Sequence, residues 1–420
     1  MAAGNPRGIG PVMGTLLVAT TMIGSGIYMI PATVGAIGSI SLLGWIIATL
    51  GAMLAGLSIA FLSRIGPPAT FIDHIGRHLG PVVGLSSAIF YFVSIILTLP
   101  AVAVAVTGYL GFLFPAVLPQ PANFWTACAI LWLFALLNQL GPRTVAFAGS
   151  ATLILGLVPI LLVGFLGWDY FDPQIFRDSW NISGHSNVSA LFQATLLVFM
   201  AFIGFEMASL VSNQMRDPDR NIPIATIVGV LIAATVYIAS STVISGMIPA
   251  AQLAKSTAPF AAATALIIGP IAGMLIAVAA ATKAAGTLGS LQLGTIESYI
   301  ATMRQAGVRI PPRAIINFGI AIISTIILLL TESPTVAQQF GIIATAATVL
   351  CIFVFLLAGL ALARATRGLR RAAGLATAAL FAILLAGQPV DTLLLSAVAL
   401  LSTFAFSAFA VARLRAHAFS

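Results

Sequence analysis

Ile23-Gly24-Ser25-Gly26-Ile27 lies at the middle of the first apolar run of the chain, residues 11–32. Two glycines that flank a serine weaken a helix, and at membrane depth no water bonds the freed backbone groups. Such a break is tolerated where the backbone lines a cavity or receives a ligand. The amides that follow it form the positive end of a half-helix, which suits a carboxylate. The alternative is that Gly24 and Gly26 only allow close packing between helices.

A second stretch of this kind is Phe199-Met200-Ala201-Phe202-Ile203-Gly204-Phe205-Glu206, in the sixth apolar run. It places a glycine and a carboxylate together near the centre of that run. Interrupted segments at corresponding positions of two halves indicate the binding site of a transporter. The first and sixth runs correspond if runs one to five and six to ten are inverted repeats. The pair therefore favours a binding site over close packing.

The composition excludes most other classes of protein. Of 420 residues, 60% are apolar and 7% are charged, whereas soluble domains have about 45–50% and about 25%. An outer-membrane barrel alternates apolar and polar residues and would be less apolar. Cys128 and Cys351 lie in separate apolar runs, which argues against a disulfide framework or a metal site. The sequence predicts an all-α polytopic membrane protein.

Twelve apolar runs approach or exceed the roughly 20 residues that a membrane-spanning helix needs. They cover residues 11–32, 40–62, 81–114, 123–140, 145–165, 189–214, 224–248, 268–300, 313–331, 337–363, 372–387 and 391–412. We expect a first repeat at 11–165, a second at 189–363 and two peripheral helices within 372–412. Terminal tails occupy 1–10 and 413–420.

The cationic residues predict the orientation of these helices. Of the 18 Lys and Arg, 15 fall in the two tails and in alternate connections, and the opposite connections hold Arg177 and Lys255. This is the positive-inside pattern, so both termini are expected in the cytoplasm. The net charge of +8 therefore reports topology rather than a nucleic-acid partner.

Two charged residues lie plainly inside the apolar runs, Glu206 and Lys283. A charge at the bilayer centre costs about 2.5–3.5 kcal/mol on insertion scales, so each needs a partner or a function. The two could pair and hold two helices together. The alternative is that they line a cavity, where either one is a candidate for proton coupling, pH sensing or contact with the substrate.

Other functional classes fit the sequence poorly. A channel would show a continuous polar stripe or a charged ring, and an intramembrane enzyme would show catalytic pairs within its spans. The four histidines, His74, His78, His185 and His417, lie in connections or in the tail and are expected to be solvated. We expect no enzyme activity, cofactor or metal.

Three stretches resemble the amino acid–polyamine–organocation superfamily: Ile23–Ile27, Phe202–Glu206 and Asp217-Pro218-Asp219-Arg220-Asn221-Ile222-Pro223. Within it the chain is most similar to the bacterial basic amino acid/polyamine antiporters, the arginine/agmatine exchanger branch. The resemblance implies a LeuT-like fold of ten core helices in two inverted repeats, with the first and sixth broken at the midplane, plus two peripheral helices. It also implies a bacterial inner-membrane location and pairing into a homodimer.

The resemblance also implies roles for individual residues. The substrate carboxylate would meet Ile23, Gly24, Ser25 and Gly26, and its ammonium would meet carbonyls around Ile203. Met200 stands where the branch has its gating tryptophan, with Phe202 and Phe205 as substitutes. Glu206 matches a glutamate associated with proton sensing.

The pocket departs from arginine-handling members of that branch. Leu99 and Val102 replace an amide and a methionine, and Leu291 or Gln292 replaces the tryptophan on which a guanidinium stacks. Lys283 would repel a cationic substrate; it could instead replace a coupling cation or neutralise an acidic substrate. We therefore expect a secondary active amino acid/polyamine transporter, an antiporter with pH-dependent activity. The alternative is a proton-coupled symporter or an exchanger of neutral or acidic amino acids.

Overall fold

The computed structural model of the protein describes residues 9–24, 26–65, 70–117, 124–140, 153–210, 215–388 and 401–413. These residues are helical apart from connections and one isolated β-bridge between Ile9 and Met215. The prediction of an all-α chain is confirmed for this part of the protein.

The helices of the first half are α1 (Pro11–Met22), α2 (Ile30–Gly35), α3 (Ser41–Leu62), α4 (Phe71–Leu79), α5 (Pro81–Leu113), α6 (Phe124–Leu137), α7 (Leu153–Leu166) and α8 (Pro173–Asp178). Those of the second half are α9 (Asn187–Phe199), α10 (Met207–Leu210), α11 (Pro218–Met247), α12 (Ala250–Leu253), α13 (Pro259–Ile268), α14 (Pro270–Gln305), α15 (Arg313–Leu330), α16 (Val336–Ala365), α17 (Gly368–Ala386) and α18 (Leu401–Arg413).

Eight stretches of the described residues are long and apolar enough to cross a membrane. They are α3, α5, the stretch Asn187–Ser209, α11, α14, α15, α16 and α17. Shorter apolar helices coincide with the remaining predicted spans at 11–32, 123–140, 145–165 and 391–412. The predicted spans at 145–165 and 391–412 lie partly outside the described residues, as do the two tails. The protein is an integral membrane protein.

Two groups of helices each pack extensively. In the first group, α1 and α3 pack on α11, and α9 packs on α3. In the second group, α14 and α16 pack on α5. Glycines allow the close approaches of the first group: a Cβ on Gly14 would lie 3.1 Å from Ala225 Cβ, and one on Gly44 would lie 3.0 Å from Thr195 N. Small residues are typical of interfaces between membrane helices, where backbones approach closely.

The short helix α4 lies between α3 and α5 in the chain and packs on α5 and α16. Its first turn is closed by a capping box, in which Thr70 and Asp73 satisfy each other's backbone amides. His74 on its inner face is fully buried, and neither ring nitrogen has a hydrogen-bond partner among the described residues. The expectation of a solvated side chain is therefore wrong for His74, because α4 turns this face onto the helix bundle.

Candidate functional site

The first interruption begins where α1 ends. Ile23 leaves the helical conformation with φ −72° and ψ 66°, and the Gly24 amide bonds to a carbonyl two residues back at 2.6 Å. A 3-10 turn, Gly26–Tyr28, follows before α2. A Cβ placed on Gly26 would meet no heavy atom of the described residues within 4 Å, so this backbone borders open space. Ser25 lies outside the described residues.

The second interruption follows α9. A 3-10 turn occupies Met200–Phe202, and Ile203 then adopts an extended ψ of 126°. Gly204 has φ +121°, a conformation that favours glycine over any L-residue. The chain resumes helical structure at α10. The carbonyl groups around Ile203 are therefore outside a continuous α-helical hydrogen-bond ladder.

The two interruptions touch each other. A Cβ on Gly204 would lie 3.1 Å from Thr21 Cγ2 and 3.4 Å from the backbone nitrogen of Met22. Thr21 and Met22 form the last turn of α1, directly before Ile23 and Gly24. The structure therefore brings together the two stretches that the sequence singled out.

Glu206 is 3% exposed and stabilises the second interruption. Its Oε2 accepts a hydrogen bond from the Gly204 amide at 2.9 Å, and its Oε1 accepts one from the Tyr91 hydroxyl at 2.8 Å. Tyr91 belongs to α5, in the other group of helices. The carboxylate thus satisfies a backbone donor that the break exposes and links the two groups.

Glu206 and Lys283 do not pair in the described part of the chain. The ion pairs found there are Arg64–Asp219 and Arg313–Glu297, each of which has an exposed carboxylate. The partners of Glu206 are instead neutral donors.

Lys283 lies on α14 and is 7% exposed. A Cβ on Gly156 of α7 would lie 2.8 Å from Lys283 Cδ and 2.7 Å from the Tyr28 hydroxyl, so both side chains lie against this glycine. Thr287, one turn further along α14, has its Cγ2 3.9 Å from a Cβ built on Gly24. The face of α14 that carries Lys283 and Thr287 is therefore directed at the first interruption. Among the described residues, no acceptor of a hydrogen bond from the Lys283 ammonium is found.

Leu291 and Gln292 are placed differently. Because helical residues are rotated by about 100° from one to the next, Gln292 lies on the side of α14 opposite Lys283. It is fully buried, and its Nε2 donates to Asn317 Oδ1 of α15 at 3.0 Å. Asn317 in turn donates to the Ala135 carbonyl of α6 at 2.7 Å. Gln292 thus joins three helices away from the interruptions, whereas Leu291 is partly buried on the Thr287 side.

The aromatic candidates lie in two packed clusters. The Phe202 ring lies 5.9 Å from that of Trp45 and 5.6 Å from that of Tyr237. The Phe205 ring lies 4.9 Å from that of Phe355. All of these rings are buried. Met200 is 6% exposed, and Leu99 and Val102 on α5 are fully buried.

Sequence reasoning missed the residues that contact these candidates. Tyr91 bonds to Glu206, and Tyr28 and Gly156 adjoin Lys283. A tyrosine within an apolar run indicates a polar contact, because its hydroxyl needs a hydrogen-bond partner when it is buried. The partner itself depends on how neighbouring helices are rotated, which a linear pattern does not encode.

Among the described residues there is no group of three or more His, Cys, Asp or Glu side chains that could hold a metal ion. The polar atoms near the interruptions are backbone groups, hydroxyls, one carboxylate and one amine. Such groups can bind the charged ends of a small zwitterionic ligand.

Comparison with known proteins gives a family and several relatives. The amino acid permease family matches residues 9–414. The chain is 33% identical to the cadaverine/lysine antiporter of Escherichia coli strain K12 over 296 residues. This aligned region covers 70% of this chain and 65% of that protein. The chain is 29% identical over 369 residues to the putrescine transporter PotE of Haemophilus influenzae, which covers 84% of each. The E. coli K12 putrescine transporter PotE is 28% identical over 376 residues.

The family match spans nearly the whole chain, including both interruptions and all eight long apolar helices. It agrees with the superfamily that the glycine-containing stretches of the first and sixth runs indicate. The chain therefore belongs to the amino acid permease family, within the amino acid–polyamine–organocation superfamily.

Proposed function

We propose that this chain is a secondary active transporter of amino acids or polyamines that works by alternating access, as an antiporter with pH-dependent activity. The contact between the two interruptions, at Gly204 and the last turn of α1, is the observation that carries this proposal. It brings the non-helical backbone of the two stretches together near the open space at Gly26. The relatives are named as a cadaverine/lysine antiporter and as putrescine transporters, which supports the same class of substrate.

In this proposal the substrate is held mainly by the backbone. Its carboxylate meets the amides of residues 23–26, which include Ser25, and its ammonium meets carbonyls near Ile203. Its side chain is read by Leu99, Val102 and Leu291. Met200, Phe202 and Phe205 close over it, as lids in the sixth span. Gln292 acts through the α14–α15 contact, since its amide already bonds to Asn317.

The proposed architecture has twelve spans with the first and sixth discontinuous. Residues 11–165 and 189–363 form the inverted repeats, the segment 372–412 supplies two peripheral helices, and both termini are cytoplasmic. The site would be reached alternately from either side as α1, α3, α9 and α11 move against the α5–α14–α16 group. We also propose a bacterial inner-membrane location and a homodimer. Protons couple to transport through Glu206 or Lys283.

A second function, transport of neutral or acidic amino acids, is favoured by one observation. Lys283 lies in the face of α14 that points at the first interruption, and it forms no ion pair among the described residues. A fixed cation there repels a cationic side chain and attracts a carboxylate. The apolar residues Leu99 and Val102 also offer no acceptor to a cationic side chain. In this case Lys283 replaces a coupling cation or pairs with the substrate.

One experiment separates the two functions. The purified protein is placed in liposomes loaded with one unlabelled compound at a time: lysine, arginine, cadaverine, putrescine, alanine or glutamate. Uptake of the labelled compounds is then measured at acidic and at neutral pH. Uptake of lysine, arginine, cadaverine or putrescine that occurs only when the vesicles are loaded supports the antiporter. Uptake of alanine or glutamate supports the second function. Absence of uptake for every compound would refute both.

A further inference from the structure

Tyr28 connects the first interruption to three other elements. It is fully buried at the end of the 3-10 turn Gly26–Tyr28. Its hydroxyl donates a hydrogen bond to the Gly156 carbonyl in α7. Its own carbonyl accepts a hydrogen bond from the Tyr109 hydroxyl of α5 at 3.1 Å. Its ring stands edge-on to Phe260 of α13 at 6.0 Å.

Gly156 makes this arrangement possible. The space that a side chain would occupy there is filled by the Tyr28 hydroxyl and by the stem of Lys283. The Tyr28 hydroxyl can reach the Gly156 carbonyl because residue 156 has no side chain. Even a methyl group would have to displace the hydroxyl, since the Cβ would lie 2.7 Å from it.

The α2 segment beyond Tyr28 is packed against the same side of the molecule. A Cβ on Gly35 would lie 2.9 Å from the backbone nitrogen of Ala254, next to α12. A Cβ on Gly341 of α16 would lie 2.8 Å from Thr33 Cγ2. Thr33 is 7% exposed. The half of the first span that follows the interruption is thus closed onto α12 and α16, and Tyr28 lies at its inner end.

We propose that Tyr28 is a positioning residue that latches the α2 half of the first span to α5 and α7, so that opening on the α2 side requires both tyrosine bonds to break. This inference rests on the proposed alternating-access transport. In the orientation given by the positive-inside pattern, the α2 side is the external one. Tyr28 therefore sets the balance between externally closed and externally open states.

The test is the reactivity of a cysteine at position 33 towards a membrane-impermeant thiol reagent. Cys128 and Cys351, both buried, are first replaced by alanine. The introduced cysteine is then the only thiol that can react with the reagent. In right-side-out membranes, Thr33→Cys should react slowly. Adding Tyr28→Phe should raise the rate roughly fivefold, the effect expected when one buried hydrogen bond no longer favours the closed state. Tyr109→Phe should raise it similarly.

Tyr170→Phe is the matched control, because its exposed hydroxyl also donates to a backbone carbonyl, that of Ile267, at 3.0 Å. It should leave the rate unchanged. An unchanged rate in both Tyr28→Phe and Tyr109→Phe, or an equal rise in the control, would overturn the latch. If Tyr28→Phe does not yield folded protein, Tyr109→Phe alone decides. The assay needs no substrate, so failed exchange in liposomes would refute the transport proposal without altering this readout.

Discussion

Gly26 and Gly204 show that a glycine can be needed for opposite physical reasons. Gly26 borders open space, so a Cβ there would contact none of the described residues. Gly204 has φ +121° and lies against the end of α1, so a side chain there would strain the backbone and push on Thr21. The first glycine is expected to matter for binding and the second for folding.

Replacing Gly26 by leucine should abolish transport and leave the fold intact. The leucine side chain would enter the open space in which we place the substrate carboxylate. Because a Cβ at this position meets none of the described residues within 4 Å, the side chain starts in open space, and we expect the backbone to keep its conformation. Uptake into liposomes and the thermal unfolding temperature would be measured together. Undiminished uptake by the variant would rule out the carboxylate site.

Replacing Gly204 by alanine should lower the free energy of unfolding by about 1–3 kcal/mol, the usual cost of a non-glycine residue in such a conformation. Thermal unfolding in detergent measures the effect. Gly319→Ala is the control, since Gly319 lies inside α15 and its Cβ would meet nothing within 4 Å. That substitution should be neutral or stabilising, because alanine is the better helix former. Equal unfolding temperatures for both variants would contradict the argument.

Lys283→Ala should change the pH profile of transport, because it removes the one amine directed at the first interruption among the described residues. We expect the rate at acidic pH relative to neutral pH to differ several-fold from that of the unmodified protein. Lys255→Ala is the natural control, since it is the other lysine of the chain and lies in a connection. Identical profiles for both variants, with normal expression, would remove Lys283 from the mechanism.

At the scale of elements, sequence predicted the apolar centres of helices better than their ends. The run at 224–248 becomes α11, which begins six residues earlier at Pro218. One tertiary contact and one local contact stabilise this polar extension: Asp219 pairs with Arg64, and the Asn221 side chain donates to the Arg216 carbonyl just before the helix. Neither contact could be read from hydrophobicity.

The candidate site also has features that the sequence predicts and features that it does not. A weakened helix at Gly24, Gly26 and Gly204 was predictable, because glycine disfavours the helical conformation. The position of Gln292 was not, because its direction depends on how α14 is rotated against α15. Neighbouring residues on a helix point in directions that differ by about 100°. An error of one residue in the assumed register therefore assigns a side chain to the site when it lies at another interface.

Helix α4 is the element for which we expect pH-dependent stability. Burial, followed by the positive charges of Arg77 and His78, lowers the pKa of His74 below its ordinary value of 6.5. The folded protein therefore binds fewer protons here than the unfolded chain does. Stability must fall as the pH drops through the ordinary value, because protonation favours the unfolded state.

His74→Leu should reduce this loss of stability on acidification, since an apolar side chain suits a site where both ring nitrogens lack partners. Thermal unfolding would be compared at pH values on either side of 6.5. His185→Leu serves as the control, because His185 is exposed and lies outside α4. The interpretation is wrong if the pH dependence of the His74 variant matches that of the unmodified protein.

At the scale of the whole molecule, the contacts between helices predict which of them move together during transport and which move apart. The amide of Arg216 bonds to the Ile9 carbonyl at 2.9 Å, so the chain before α1 is tied to the chain before α11. Gly14 and Ala225 then bring α1 and α11 into direct contact. By contrast, α2 meets α16 across the side that we propose opens.

Two cysteine pairs should therefore have opposite effects on transport. Gly14→Cys with Ala225→Cys joins α1 to α11, where the Cβ separation of 3.1 Å is slightly shorter than the roughly 3.5–4.5 Å of a disulfide. Oxidation of this pair should leave exchange largely intact, because both helices belong to one moving group. Thr33→Cys with Gly341→Cys joins α2 to α16, and its oxidation should stop exchange until a reductant is added. Exchange that continues with the second pair fully cross-linked would show that α2 and α16 do not separate during transport, and alternating access through this side would then be excluded.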